Sequence, residues 1–492
     1  MSKVPTITKP IETAEEYVQS LRDMKTEIWA QGEKITNVPD HPLFVPHVNA
    51  VAKTYEMPFP VKSHLTGHTI NRFNHIHQGV DDLVAKVKML RVLNQQTGCC
   101  IQRCAGMDAL NATYIVTYEI DKKYGTNYHE RFKKFLTYVQ DYNLVVLGAM
   151  TDAKGDRSKG PTQQRDPDLF VHVVEEREDG IVVRGAKTHI TGVSGGHEMM
   201  VFPTQNMKED AKDYAVVFSC PVNTPGITYI FGRQTNDGRK MDTEHPIDQG
   251  NFKYACVGGE CVVVFNDVFI PWEDVYMYKE YDFAGMFVEA FATAHRSNYG
   301  SCKGGICDVL LGATYGICKV NGVERVGHVK DKMADMINLI ETLYAGSLAC
   351  SYEGHPTPSG AWRADTMLGN ITKHNTTKFI YEIDRIAQDL VGGLLATLPS
   401  EADLRNPEIG PLLQRFLAGN ETMSTEDKFR LYRLVETLTG GTAVVESMHG
   451  AGSPQSQKIM MLRDAKLEDK LKLAQKLVDC SGGCESYSGC GK

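Results

Sequence analysis

No apolar run in this 492-residue chain reaches the ~18 residues that a membrane-spanning helix requires. The first stretch, MSKVPTITKPIETAEEY, turns polar and acidic where a secretory signal would place its apolar segment, so the expected location is the cytoplasm. Basic charge is in deficit: 53 Lys and Arg against 61 Asp and Glu leave a net charge of −8. Nucleic acid and anionic membranes are therefore not expected partners, because holding phosphate backbones takes clustered cations. An anionic small molecule is compatible with local groups of basic residues. Neither G-x-G-x-x-G nor G-x-x-x-x-G-K-[ST] occurs, so a Rossmann nucleotide site and a P-loop are both unsupported. No internal repeat or low-complexity block is evident.

What is present is an ordinary globular composition, 42% hydrophobic and 23% charged. At ~150 residues per domain the length suggests about three domains. Thirteen cysteines in a long, cytosol-like chain point to catalysis or metal binding rather than a disulfide framework. Cys220, Cys256, Cys261, Cys318 and Cys350 sit in apolar sequence and read as core residues.

Three regions follow one another. Residues 1–149 read as a helical domain, with a Thr13/Glu16 capping box and long apolar-periodic segments. Residues 150–280 read as a middle β domain whose clearest hairpin turns at Asp179-Gly180. Residues 281–479 read as a helical bundle; Met333, Met336, Ile337, Ile340, Leu343 and Tyr344 fall at helix-face spacing. Residues 480–492 form a Cys/Gly-rich tail expected to be flexible. The fold class is α+β, ordered helices, sheet, helices.

Thiols crowd in QQTGCCIQRCAGMDAL, which holds Cys99, Cys100 and Cys104. On a helix Cys100 and Cys104 share a face, with Cys99 turned ~100° away. Two thiolates need further ligands, and AHRSNYGSCKGGIC offers His295 and Cys302, two helical turns apart, with Gly300 between them as a possible bend. By spacing alone this is an incomplete metal site. The tail, with Cys480, Cys484 and Cys490, competes with it, although a solvated end is the plainer reading there. The loop GAMTDAKGDRSKGP, with Lys187, His189 and Thr191 on the following hairpin, offers donors to a phosphate or an isoalloxazine. In VVESMHGAGSPQ, a buried Glu446 close to His449 and a Gly-Ala-Gly turn suit acid–base work beside a ligand. Glu260 is a second carboxylate, at a strand start.

Taken together, the segments SLRDMKTEIWAQGEKITNVPDHPLF, VFNDVFIPWEDVY, QDLVGGLLATLPSEADL and ESMHGAGSPQ resemble the 4-hydroxyphenylacetate 3-hydroxylase family along nearly the whole chain. The resemblance implies an acyl-CoA dehydrogenase-like fold. Within the family, C-x3-C with H-x6-C resembles the acyl-CoA dehydratases rather than the flavin monooxygenases. It implies a 4Fe-4S cluster held by Cys100, Cys104, His295 and Cys302, with Cys99 left over. It also implies FAD, a homotetramer and an acyl-CoA substrate channelled between flavin and cluster. Thr151, Asp156, Arg157, Ser158 and Thr191 match flavin-contacting positions, as does the turn His449, Gly450, Ala451, Gly452 and Ser453. His295, Glu446, Glu260, Tyr299 and Lys303 match catalytic positions, with Gln102 a further candidate. The implied activity is radical dehydration of 4-hydroxybutyryl-CoA to crotonyl-CoA, with isomerisation of vinylacetyl-CoA. The alternatives are an FAD-dependent aromatic monooxygenase, a dehydratase of a related acyl-CoA, or a non-catalytic metal or redox sensor using the tail thiols.

Overall fold

The computed structural model describes residues 7–251, 253–255 and 257–478; Cys256 and the tail residues Cys480, Cys484 and Cys490 lie outside the described residues. The capping box forms as expected. Thr13 Oγ1 accepts from the Glu16 amide while Glu16 Oε2 accepts from the Thr13 amide, which opens α1 (Ala14–Met24). Four further helices complete the N-terminal region: α2 (Val45–Glu56), α3 (Val80–Thr97), α4 (Cys104–Tyr124) and α5 (Tyr128–Asp141).

The sheet region recruits strands from outside the middle of the chain. Strands β1 (Ile28–Ala30) and β2 (Glu33–Ile35) come early, as does a separate ribbon of β3 (Pro60–Lys62) and β4 (Thr69–Asn71). There follow β5 (Val146–Ala149), β6 (His172–Glu176), β7 (Gly180–Thr191), β8 (Glu198–Val201), β9 (Val216–Pro221), β10 (Ile227–Phe231), β11 (Glu260–Pro271) and β12 (Val275–Tyr278). Six strands pair in the order β2-β1-β10-β11-β7-β6 and four in the order β12-β9-β8-β5. The hairpin expected at Asp179-Gly180 joins β6 to β7. The long pair β7/β11 matters most for the site, because its register sets Thr191, the last residue of β7, opposite Glu260, the first of β11. A one-residue slip would turn both side chains to the other face.

Between β10 and β11 lies a short turn of helix, α6 (Asp237–Lys240), whose Asp237 and Lys240 are buried. The C-terminal bundle is built on α7 (Ala284–Val320), α8 (Gly327–Tyr352) and α9 (Thr366–Val391). Short α10 (Leu394–Thr397), α11 (Glu401–Arg405) and α12 (Gly410–Phe416) lead to α13 (Thr425–Leu438), α14 (Gly441–His449), α15 (Pro454–Asp464) and α16 (Leu467–Leu477). The α+β order of helices, sheet and helices is thus observed. Met336, Ile340 and Leu343 of α8 are buried as their spacing predicts, whereas Ile337 is exposed. Cys220, Cys261, Cys318 and Cys350 are core residues, as their apolar neighbours imply. No described helix is long and apolar enough to cross a membrane.

Two sequence expectations change. Gly300 does not bend its segment: α7 runs unbroken for 37 residues, and Gly300 lies where the helix presses against α8. A Cβ there would overlap the Leu343 carbonyl oxygen and crowd Ser347 Oγ at 2.7 Å. Gly300→Ala should therefore destabilise the bundle by about 1–3 kcal/mol or more, read as a lower Tm, since backbone leaves no room for repacking. Cys100 and Cys104 do not share a helical face either. Gly98 ends α3 with φ of 59°, Gln102 adopts φ of 63°, and α4 starts only at Cys104. The turn of this connector, not helical periodicity, brings the two thiols together.

Candidate active site

On α7 the side chains of His295, Tyr299, Cys302 and Lys303 recur at intervals of three, four, seven and eight, which places them on one face. That face meets the α3–α4 connector. Tyr299 is the common neighbour: its ring lies edge-on to His295 at 5.6 Å. Burial pushes its phenol well up, reinforced by the adjacent Glu446, Cys302, Cys100 and Cys104. The three thiols are buried and mutually close. Burial raises Cys100 and Cys104 well above the ordinary thiol range, each raised further by its sulfur neighbours. Cys302 rises to about 11 through burial, moderated by Lys303, and its Sγ lies 3.5 Å from Asn94 Oδ1 of α3.

Cys99 faces the other way, packed with Ala50 and Tyr254. Among the described residues no three His, Cys, Asp or Glu side chains converge tightly enough for a single metal ion.

His295 is oriented from behind. Its Nδ1 meets the buried Asp108 Oδ2 at 2.7 Å, and Asn298 Nδ2 donates to the same oxygen at 2.7 Å. With Nδ1 engaged by Asp108, Nε2 is the ring nitrogen left for a further partner, and a carboxylate behind the ring in this way fixes the orientation of a metal-ligating imidazole. Asp108 was not picked out from the sequence. Its place one turn beyond Cys104 was the available signal.

The two carboxylates differ sharply. Glu446, on α14, pairs with the buried Lys303 and receives the Tyr299 hydroxyl at 3.4 Å. Burial works against its charge, yet the Lys303 ammonium, helped by Lys373 and His295, holds the carboxyl below its usual range. In return Lys303, which burial would depress, is raised by Glu446. Glu260 is pushed up to about 8 by burial and by the charge of Glu446. Its Oε1 is 3.5 Å from Thr191 Oγ1, its Oε2 3.4 Å from Gln234 Nε2. Contrary to the solvent-facing position common for such residues, Glu260 is half-buried, its carboxyl turned toward Thr191 and Gln234.

The partnership expected between Glu446 and His449 does not form. His449 is exposed, because α14 ends there and the chain turns outward, and Glu446 is satisfied by Lys303 and Tyr299. Two residues not picked out from the sequence hold this corner. Lys373 donates to the Ser447 and Met448 carbonyls at 2.6 and 3.1 Å and lies 4.0 Å over the Tyr299 ring. Burial lowers its ammonium to about 7. Arg296 donates to Ala451 O at 2.9 Å. Gly450 cannot carry a Cβ without striking the Tyr299 hydroxyl, and Ala451 and Gly452 both take positive φ, 58° and 95°.

The loop with Thr151, Asp156, Arg157 and Ser158 follows β5, the end strand of the four-stranded sheet, and bridges to β7 through Asp152 and Lys187. Thr151 O accepts from the Thr188 amide at 2.8 Å, and Asp156 is spent on the Ser158 amide and hydroxyl at 3.0 and 2.7 Å. Lys187, offered by the sequence as a ligand donor, is instead buried against Asp152 and the Phe202 carbonyl at 2.6 Å. Lys154, on the exposed part of the loop, is lowered by partial burial and by the nearby Arg157 guanidinium, against the opposing pull of Asp152. His189 is likewise lowered by burial, by Lys154 and by His449, so the His449–Ser453 turn lies beside this loop.

Fold and site together define a helix–sheet–helix protein with two half-buried carboxyls of opposite protonation tendency beside grouped thiols. Two family profiles, the N-terminal and C-terminal parts of 4-hydroxyphenylacetate 3-hydroxylase, match residues 13–277 and 284–479. The chain belongs to the 4-hydroxyphenylacetate 3-hydroxylase family. It is 49% identical, over 94% of its length and 98% of the relative's, to a 4-hydroxybutyryl-CoA dehydratase/vinylacetyl-CoA Δ-isomerase of Clostridium aminobutyricum, a lyase. An oxygen-tolerant archaeal 4-hydroxybutyryl-CoA dehydratase from N. maritimus superposes with a TM-score of 0.94 at 45% identity, covering 98% of this chain and 97% of that one. The oxygenase component of a 4-hydroxyphenylacetate 3-monooxygenase, complexed with FAD, shares the fold at a TM-score of 0.83 and 22% identity, over 95% and 99% of the two chains.

Proposed function

We propose that this protein dehydrates 4-hydroxybutyryl-CoA to crotonyl-CoA and water, and isomerises vinylacetyl-CoA, with FAD and a 4Fe-4S cluster as cofactors. The observation that carries the reading is the grouping of Cys100, Cys104, Cys302 and His295 around Tyr299, from segments almost 200 residues apart, beside two carboxylates of opposite protonation tendency. The donor set fits a cluster: a cube of iron and sulfur spreads its ligands more widely than one ion does, and buried thiols lose their protons on binding metal. Lys154 and Arg157 fit the pyrophosphate of a dinucleotide, with Thr191 at the flavin end. The named activity of the 49% identical relative supports the same substrate.

The reaction removes a proton from C2, a proton from C3 and hydroxide from C4, and returns one proton to C4. The thioester acidifies C2, but no side-chain base with a pKa shifted by a few units can take an unactivated C3 proton. When bound, the flavin supplies one-electron oxidation that acidifies C3, and the cluster supplies Lewis acidity for the leaving hydroxyl. Glu446, held anionic by Lys303, accepts a proton; Glu260, held neutral through burial, donates one. Two carboxyls with separated pKa values divide the roles of base and acid. Tyr299, fixed between Lys373 and Glu446, orients the substrate. The working form is a homotetramer. In support, α16 has no buried residue of its own and presents Leu467, Leu471 and Leu477 outward.

The test is composition and turnover after oxygen-free purification. Four irons with matching acid-labile sulfide, one FAD per chain and crotonyl-CoA formed from 4-hydroxybutyryl-CoA are expected. Flavin without iron, together with phenol hydroxylation, would replace this reading by the monooxygenase.

A further inference from the structure

Behind Glu260 lies a buried polar relay. Lys240, at the end of α6, is 3% exposed and gives its three N–H bonds to Gln234 Oε1 at 2.9 Å, Asp237 Oδ1 at 3.2 Å and His47 Nε2 at 3.3 Å. An ammonium has protons to give and no lone pair. The Gln234 oxygen must therefore face Lys240, and its amide nitrogen must face the other way. That nitrogen donates to Gly258 O at 2.7 Å and to Glu260 Oε2 at 3.4 Å. Asp237 Oδ2 in turn accepts from the Gln234 amide at 2.6 Å, locking the loop to the helix that carries Lys240. His47, Gln234, Asp237 and Lys240 are all at least 96% buried, so water does not compete for these bonds.

We propose that Lys240 and Gln234 are positioning residues that fix which oxygen of Glu260 carries its proton. Oε2 faces the Gln234 amide nitrogen, which can only donate, whereas Oε1 faces the Thr191 hydroxyl, which can donate or accept; in the neutral acid Oε2 is therefore the carbonyl oxygen and the proton resides on Oε1, with Thr191 Oγ1 as its acceptor. Oε1 is the oxygen on the Thr191 side, opposite in the β7/β11 register. The relay transmits direction more than charge, since Lys240 is paired with Asp237. A Glu260 free to rotate would offer its proton toward Gln234 as readily as toward Thr191. The inference deepens the proposed dehydratase reading and rests on it for the catalytic arm of the test.

Two substitutions separate direction from bulk. Gln234→Glu keeps the length and the contact to Lys240 but turns the donor facing Glu260 into an acceptor. Gln234→Met removes the donor without opposing it. In holoenzyme with unchanged flavin and iron, Gln234→Glu should lower kcat about 100-fold with KM changed less than about threefold, whereas Gln234→Met should cost about tenfold or less. A merely structural role, through the Gly258 carbonyl that the same nitrogen also holds, predicts kcat losses that track a lowered Tm in both variants, and would overturn the proposal, as would a Gln234→Glu enzyme with full kcat. The second readout does not need activity. At pH 6 the neutral Glu260 carboxyl, assigned in the infrared spectrum by its absence in Glu260→Gln, should shift its C=O stretch upward in Gln234→Met, because Oε2 loses a hydrogen bond. An unmoved band refutes the relay even if the dehydratase reading holds. A shifted band supports it even if wild-type protein does not turn over 4-hydroxybutyryl-CoA.

Discussion

Alanine in place of His295 or Cys302 is expected to abolish formation of crotonyl-CoA and to strip the protein of most of its iron, while Cys99→Ala retains both. Cys99 is the most buried of the three side chains, so if packing alone decided the outcome its removal would cost the most; the opposite order reports on the metal. Cys302 Sγ and His295 stand on one face of α7 around Tyr299, whereas Cys99 packs into a small cluster with Ala50 and Tyr254. Without a cluster the buried Cys100 and Cys104 remain protonated, since burial and their mutual charge disfavour two thiolates. Losing one ligand of four therefore lowers affinity by more than one bond's share, because the surviving thiols must still be deprotonated. Iron, acid-labile sulfide and turnover measured on the same anaerobic preparations check the expectation. A His295→Ala protein with full iron and full turnover would remove the imidazole from both roles.

The sequence carried the parts of this site that depend on periodicity. A face at intervals of four and seven on a long helix makes His295, Tyr299, Cys302 and Lys303 legible together. Alternation in GIVVRGAKTHIT and ECVVVFNDVFIP makes two strands legible, and their pairing puts Thr191 beside Glu260. Periodicity also misled. It assigned Cys100 and Cys104 to one helix, although the Gly98 between them and α3 is the residue that ends a helix in the left-handed conformation. The relay of His47, Gln234, Asp237 and Lys240 was illegible, because its members come from α2, α6 and an irregular loop whose meeting no spacing encodes. The same holds for Lys373, on α9, which reaches the Ser447 and Met448 carbonyls only through the packing of α9 against α14. Buried polar groups of this kind are decided by which backbone carbonyl or carboxylate is left to satisfy, and that is a property of the assembled core.

Glu260→Gln should cost at least about 100-fold in turnover and yet make the protein more stable above neutral pH. The native carboxyl titrates at about 8, raised from 4.5 by burial and by Glu446. Between those two values the unfolded chain has released a proton that the folded chain retains, so folding stability falls as pH rises through this window and has lost its full share above pH 8. At 1.36 kcal/mol per unit the share is up to about 5 kcal/mol, and glutamine, which does not ionise, escapes it. The replacement fits, for Gln234 still finds an oxygen to donate to and the Thr191 hydroxyl a polar neighbour. The Tm gap between variant and wild type should accordingly be near zero at pH 5 and widen to several degrees at pH 8.5 in favour of the variant. A gap that stays constant with pH, or that favours wild type at pH 8.5, would mean that Glu260 is ionised in the folded protein at neutral pH, and it would then be unable to serve as the proton donor to C4. Stability given up at this one carboxyl is the cost expected of a proton donor kept neutral beside an anionic Glu446, because the two surroundings favour opposite protonation states.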